Sequence, residues 1–147
     1  MKYDLNTKPS NPKDILGVAK IPYHLWPNTA TILGTMGMLE GAVKYGRSNY
    51  RAVGVRASIY YDACRRHLDS WFEGENNTKD HNIHHLGNAL ACLAIIVDAE
   101  AKGVLIDDRM YPGGFLELRD RLTPEVKRIK EMYKKKTPHH YSKLDIE

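Results

Sequence analysis

The chain has 147 residues, with 22 Lys+Arg against 18 Asp+Glu and a formal net charge of +4. That is the length of one domain, enough to bury a core without disulfides or a structural metal. Its 42% hydrophobic and 27% charged residues are average for a globular protein and exclude wholesale disorder.

Met1–Asn6 carries no hydrophobic stretch, so no signal peptide is expected. Pro9, Pro12 and Pro22, with Asn6, Ser10, Asn11 and Gly17, predict an extended arm over residues 1–22. From Pro27 to Tyr45 the apolar residues Ile32, Met36, Leu39 and Val43 fall at helical spacing, and Gly46 is placed to end that helix as a left-handed cap. Gly34, Gly37 and Gly41 each weaken the helix by about 1 kcal/mol against Ala unless they serve a close helix–helix approach. Arg47–Arg51 reads as a loop. A second helix is predicted from Val55 to Phe72, with Ile59, Ala63, Leu68, Trp71 and Phe72 on a broad apolar face and Gly74 beyond its end.

The polar stretch Glu75–Asn82 is a loop, and a third helix follows from Ile83 to Lys102, closed by Gly103. Its run Ala89–Val97 is the longest apolar stretch, 9 residues against the ~20 of a membrane span. Apolar nearly all round, this helix should be the most buried element and should need a second copy of the chain to cover it, so a homo-oligomer, a dimer or higher, is expected. Asp107–Arg109 and Pro112–Gly114 form another loop. A fourth, peripheral helix is predicted from Thr123 as N-cap and Pro124 as first helical residue to about Lys136. No segment of useful length has strand periodicity, so the fold class is all-α, with three core helices and one peripheral one.

The charge is uneven. Residues 1–118 hold 13 Lys+Arg and 13 Asp+Glu; residues 119–147 hold 9 against 5, a difference of +4 that is the whole net charge. A neutral body without a recognition motif does not predict a nucleic-acid partner. Lys134-Lys135-Lys136 instead reads as a helix end, with cations at the negative pole of the dipole. Cys64 and Cys92 sit inside apolar patterns and read as buried free thiols of a cytoplasmic protein.

Candidate chemistry gathers where the second helix ends and the third begins, since a loop of about ten residues predicts an antiparallel hairpin. Asp62, Arg66, His67 and Glu75 come from one side, and His81, His84, His85 and Asn88 from the other. Glu75 and Asp80 with the imidazoles of this region offer oxygen and nitrogen donors for a divalent cation. Asp62–Arg66 and Glu40–Lys44 are also four apart, the spacing of helix-surface ion pairs. No phosphate-cradling glycine loop, dinucleotide fingerprint or Ser-His-Asp arrangement is present.

Five stretches carry a resemblance in the same order. They are Asn11-Pro12-Lys13-Asp14; Leu39-Glu40-Gly41-Ala42-Val43-Lys44-Tyr45-Gly46-Arg47-Ser48-Asn49-Tyr50-Arg51; Tyr61-Asp62-Ala63-Cys64-Arg65-Arg66-His67-Leu68 with Trp71 and Gly74-Glu75; His84-His85-Leu86-Gly87-Asn88-Ala89-Leu90; and Leu105-Ile106-Asp107-Asp108-Arg109. Together they resemble the phage dATP/dGTP diphosphohydrolase family, related to the MazG-like all-α nucleoside triphosphate pyrophosphohydrolases, over about residues 11–110. The resemblance implies a MazG-like helical bundle, with an arm over 1–22, a pyrophosphohydrolase-like domain over 23–110 and a basic helix and tail over 111–147. It implies hydrolysis of a purine deoxynucleoside triphosphate to monophosphate and pyrophosphate, with Mg²⁺ or Mn²⁺, in the host cytoplasm of a phage protein. Catalytic roles then fall to Glu40, Asp62 and Glu75, and metal ligation to Glu75, Asp80 and His85. Substrate contacts fall to Lys44, Arg47, Asn49, Tyr50, Arg51, Arg66, His67, Trp71 and Asn88.

The chain departs from the family pattern at Asn76, where an acid is expected, and at His81-Asn82, where Ser-Gly is expected. It departs again at Asn88, where a His is expected, and the MazG-like Glu-x-x-Asp falls on His85-Leu86-Gly87-Asn88. Each change removes a carboxylate or a strong ligand. The alternative expectation is therefore a non-catalytic phage protein that sequesters a nucleotide or a cyclic nucleotide signal.

Overall fold

In the computed structural model, which describes residues 11–146, the order is α1 (Pro12–Gly17), a 3₁₀ turn (Tyr23–Leu25), α2 (Asn28–Tyr45), α3 (Asn49–Val53), β1 (Val55–Arg56), α4 (Ala57–Phe72), α5 (His85–Lys102), β2 (Leu105–Ile106), α6 (Phe115–Met132) and a last 3₁₀ turn (Lys143–Asp145). The all-α class holds. α5 lies between α2 and α4, and nearly all helix packing is α2 on α5 and α4 on α5. No helix among the described residues is long and apolar enough to cross a membrane.

The position of α5 follows from small side chains. Gly87, Asn88, Ala89, Ala91, Cys92 and Ala99 are its buried positions, with His85 at its start. The larger Leu93 and Val97 of the same apolar run stay exposed, so only one broad side of that run is buried. A Cβ on Gly37 of α2 would stand 2.7 Å from the Gly87 carbonyl oxygen and 2.9 Å from the Asn88 side-chain oxygen. A Cβ on Gly87 would in turn stand 2.5 Å from the Leu33 carbonyl oxygen. Two backbones therefore touch where both helices lack a side chain, as the glycine stripe of α2 anticipated. Gly34 sits against Leu90 at ordinary contact distance, while Gly41 faces open space. At the far end of α5, Gly103 caps the helix at φ 77°, ψ 25°, where the absence of a Cβ removes the left-handed penalty.

Four predicted elements differ. The arm is not extended throughout, since Pro12–Gly17 is helical. Asn11 accepts hydrogen bonds from the N–H groups of Lys13 and Asp14 at 2.9 and 3.1 Å, and the Asp14 carboxylate accepts from the Asn11 N–H at 3.2 Å. The Asn-Pro pair is a helix start rather than an interruption. The arm's residues 1–10 lie outside the described residues.

Asn49–Val53 forms the short helix α3 where a loop was expected, after Ser48 turns the chain at φ 63°. Val55–Arg56 pairs in parallel with Leu105–Ile106, Val55 opposite Leu105 and Arg56 opposite Ile106. Two-residue strands have no period for a sequence to display. Finally, α6 begins at Phe115 and not at Thr123, so Pro124 lies inside it. The apolar spacing Phe115, Leu118, Leu122 already has a helical period, and Thr123 donates its hydroxyl hydrogen bond back to the Arg119 carbonyl at 2.8 Å, one turn before the proline. The start of α4 is fixed from afar, with the Asp108 carboxylate accepting from the Ser58 N–H at 2.8 Å and its hydroxyl at 2.6 Å.

The glycine contact makes a paired prediction. Gly37→Ala must force backbone apart and should destabilise the chain by about 1–3 kcal/mol. Gly41→Ala meets nothing and should stabilise by up to about 1 kcal/mol through helix propensity. Urea unfolding of the two variants against the parent checks both signs.

Candidate functional site

Three helices and one loop supply the site. α4 contributes His67 near its last turn, α5 contributes His85 and Asn88 in its first turn, and α2 contributes Glu40 and Lys44 one turn apart. The loop between α4 and α5 is tied down by its own backbone. Thr78 N–H donates to Ile83 O at 2.8 Å and His85 N–H to Asn76 O at 2.9 Å, with a bridge between Asn77 and His84. The His84 ring caps α5 by accepting from the Leu86 N–H at 3.1 Å. Glu75, Asp80 and His81 are thereby held at the mouth of the helix pair.

A first polar chain runs through the histidines. His85 is buried, at 5% exposure; its Nε2 lies 2.7 Å from Glu75 Oε1 and its Nδ1 lies 2.9 Å from His67 Nδ1. Hydrogen-bond valence then assigns the tautomers. An ionised Glu75 only accepts, so His85 donates through Nε2–H; a neutral His85 then accepts at Nδ1 from His67 Nδ1–H, which leaves His67 Nε2 as a free lone pair. The hydrogen bond from His85, helped by Lys79 and opposed by burial, holds the Glu75 carboxyl below the usual range. Burial, reinforced by the neighbouring His85, pushes the His67 imidazole below its ordinary value of 6.5 and keeps it a neutral base.

A second polar chain centres on Glu40. Lys44 Nζ sits 2.6 Å from Glu40 Oε1, and His81 Nδ1 stands 3.0 Å from both that oxygen and Asp80 Oδ2. Asn88 donates to Glu40 Oε2 at 3.3 Å. The Lys44 hydrogen bond outweighs burial and keeps Glu40 below the usual carboxylate range, while the same bond raises Lys44. Asp80 feels some burial, but hydrogen bonds from Thr78 and His81 overcome it and lower its pKa.

Both chains border one cleft of about 590 Å³. Tyr45, Tyr50 and Tyr60 supply aromatic surface, and Ala63, Ala91, Cys92 and Ile95 an apolar floor. Burial pushes the Cys92 thiol up to about 11, so it is an inert part of that floor. Of the residues expected at the site, Glu40, Lys44, Arg47, Asn49, Tyr50, His67, Asp80 and Asn88 line the cleft.

The others stand elsewhere. Arg51 is spent on a two-point pair with Asp98 at 2.6 and 2.7 Å, which staples α3 to α5. Asp62 and Arg66 are exposed and do not pair; Arg65 pairs with Asp69 at 3.0 Å instead. Trp71 is 39% exposed and away from the cleft wall, and Glu75 reaches the cleft only through the histidines. The expected metal set Glu75, Asp80, His85 is not assembled. Glu75 and His85 bind each other, Asp80 turns to His81, and among the described residues no three His, Cys, Asp or Glu side chains gather as ligands.

Sequence reasoning passed over Tyr60, Cys92 and Ile95 as site residues, and placed His81 only among the imidazoles offered to a divalent cation. A helical stripe was the available signal: Tyr60, Ala63 and His67 share one face of α4, and Asn88, Ala91, Cys92 and Ile95 share one face of α5.

A cleft of about 590 Å³ between packed helices, part apolar and rimmed by a few fixed polar groups, has the make-up of small-molecule sites in general, on an all-α scaffold. The chain belongs to the dATP/dGTP diphosphohydrolase family, since the model of that family's N-terminal region matches residues 10–109. No curated protein and no solved structure matches the chain.

The His67 environment sets a pH dependence. A histidine whose pKa is lowered on folding is protonated more readily in the unfolded chain, so stability falls as pH drops below about 6.5 toward the depressed value. The thermal midpoint should decline across that window, and His67→Gln should flatten the decline. A calorimetric series from pH 8 to pH 5 measures both.

Proposed function

We propose that this cleft binds a purine deoxynucleoside triphosphate, dATP or dGTP, and that the chain hydrolyses it to the monophosphate and pyrophosphate. The observation that carries the reading is the Glu75–His85–His67 chain, which delivers a neutral imidazole base to a cleft that also holds Glu40, Lys44 and Arg47. His67 Nε2 takes the proton of a water as that water bonds to the α-phosphorus, and the bond from the α-phosphorus to the bridging oxygen breaks with its electron pair leaving on pyrophosphate. His85 fixes the tautomer and orientation of His67, and Glu75 steadies the positive charge that the imidazole pair acquires. Arg47 and Lys44 contact phosphate oxygens, and Tyr45, Tyr50 or Tyr60 offers a face for the purine.

The donors present suit a divalent cation that arrives with the triphosphate. Mg²⁺ is commonly held by one or two carboxylates plus substrate phosphates, and Glu40 and Asp80, which meet at His81, are two such carboxylates in the cleft. When bound, Mg²⁺ or Mn²⁺ neutralises phosphate charge and polarises the bond that breaks. Glu40 and Asp80 thus replace the set Glu75, Asp80, His85 as the candidate holders.

One observation favours the second reading, a binder that sequesters a nucleotide or cyclic nucleotide. Both Glu40 oxygens are already engaged by Lys44, His81 and Asn88, and the α5 positions that face the cleft mouth carry no carboxylate.

Incubation with dATP or dGTP and Mg²⁺ should yield monophosphate and pyrophosphate, and chelation should stop it. Nucleotide recovered unchanged after heat denaturation would establish sequestration instead. His67→Ala should lower kcat by about 10²–10⁴-fold with a modest change in KM. Arg47→Ala should raise KM about tenfold or more, and Arg66→Ala, outside the cleft, should change neither constant. Steady-state kinetics on the three variants separates these roles.

A further inference from the structure

The ion pair between Arg51 and Asp98 takes no part in the proposed chemistry, yet it stands at the edge of the cleft. On α5 the stripe Asn88, Ala91, Cys92 and Ile95 lines the cleft, and Asp98 is the next residue of that stripe, one helical step past Ile95. Across from it Arg47, Ser48, Asn49 and Tyr50 form a wall of the cleft, and Arg51 follows directly. The guanidinium spans the gap, with Nε 2.6 Å from Asp98 Oδ2 and Nη2 2.7 Å from Asp98 Oδ1. Wall and floor are thus joined where the lining residues of each give out.

Global stability does not account for this pair. Its side chains are 54% and 31% exposed, and ion pairs at such exposure add little to folding. What a two-point fork supplies is direction, because two parallel bonds fix the guanidinium plane against the carboxylate plane.

The segment that carries Arg51 needs that direction. Gly46 at φ 92° and Ser48 at φ 63° both turn the chain through positive φ, and Arg47 lies between them, outside α2 and α3. For Ser48 the conformation is strained and persists only where its surroundings hold it. Backbone contacts anchor the far end. Val55 N–H donates to the Val104 carbonyl at 3.3 Å, and a Cβ on Gly54 would stand 2.6 Å from the same oxygen. Between the turn and that anchor, the Arg51 fork ties α3 to α5.

We infer that Arg51 and Asp98 are a positioning pair for Arg47. The fork fixes where α3 sits on α5, and through α3 it fixes the direction in which the Arg47 guanidinium enters the cleft. This role rests on the proposed reading of Arg47 as a phosphate contact. It gives the two arginines of one turn separate duties, Arg47 to the triphosphate and Arg51 to the scaffold. It also keeps the Asp98 carboxylate neutralised beside a cleft that receives an anion. Because His67 belongs to α4, the pair acts on substrate binding and not on proton transfer.

Steady-state kinetics with dATP and Mg²⁺ on the full chain tests this, with Kd from calorimetry taking the place of KM if the parent binds dATP without cleaving it. Arg51→Lys keeps the positive charge and loses the fork. It should raise KM about three- to tenfold with kcat within about twofold of the parent, and it should leave the thermal midpoint close to the parent's. Asp98→Ala should raise KM in the same way. In an Arg47→Ala background, Arg51→Lys should change KM by no more than about twofold, since the side chain it positions is gone. Three results would overturn the inference: an unchanged KM in Arg51→Lys, an effect that adds in full to that of Arg47→Ala, or a KM that falls in Asp98→Ala because the freed Arg51 itself takes up a phosphate. Any of these in a chain that binds dATP removes the positioning role alone. A parent that neither binds nor hydrolyses dATP removes the nucleotide reading of the cleft, and this role with it.

Discussion

The near-contact of two backbones, Gly37 on α2 and Gly87 on α5, is the constraint on which the rest of the structure depends. Helix axes ordinarily stand 8–10 Å apart, with side chains filling the space between them. Here neither helix has a Cβ at the crossing, and the approach brings Asn88 close enough to donate to Glu40. The cleft exists because α2 and α4 flank α5 at fixed separations. Any side chain at position 37 would shift Glu40 and Lys44 away from the histidines of the other two helices. Packing and chemistry are thus one problem at this crossing, and the stability lost by leaving glycines within α2 is offset by the precise seating of its charged turn.

The site has two kinds of polar order. Glu75, His85 and His67 form a directional chain, in which each acceptor fixes the tautomer of the next imidazole and burial keeps the terminal one neutral. Glu40, Lys44, His81 and Asp80 form a compensated cluster, in which opposite charges hold one another in the ionised state. The first arrangement suits proton transfer and the second suits phosphate and cation. Their junction at one cleft is the basis of the proposed triphosphate hydrolysis, for which neither arrangement alone would suffice. The folded loop between α4 and α5 is what joins them, since Glu75 and Asp80 serve different clusters from the same turn of chain.

Much of the body could be read from the sequence. The positions of α2, α4 and α5, the cap at Gly103, the Glu40–Lys44 pair and the convergence of His67 with His85 all follow from spacing, because these are contacts within one helix or across one short hairpin. The errors have physical causes too. Arg51 has the side chain of a phosphate ligand, but Asp98 lies opposite it across 47 residues and claims both of its nitrogens. The resemblance groups Asp80 with Glu75 and His85, whereas the backbone turn at Thr78–Ile83 presents it to His81, which also meets Glu40. Pro124 was read as a helix start because proline favours that position, yet the apolar period beginning at Phe115 prevailed.

By itself, the sequence determined the helical class, the three core helices and the tip at which polar side chains would meet, since those depend on periodicity and on partners a few residues apart. Only the tertiary structure decided which acids face the cleft, which arginine is consumed as a staple, how β1 and β2 pair and that α6 stands uncovered. Those outcomes turn on contacts between residues tens of positions apart, whose competing partners no local pattern can rank.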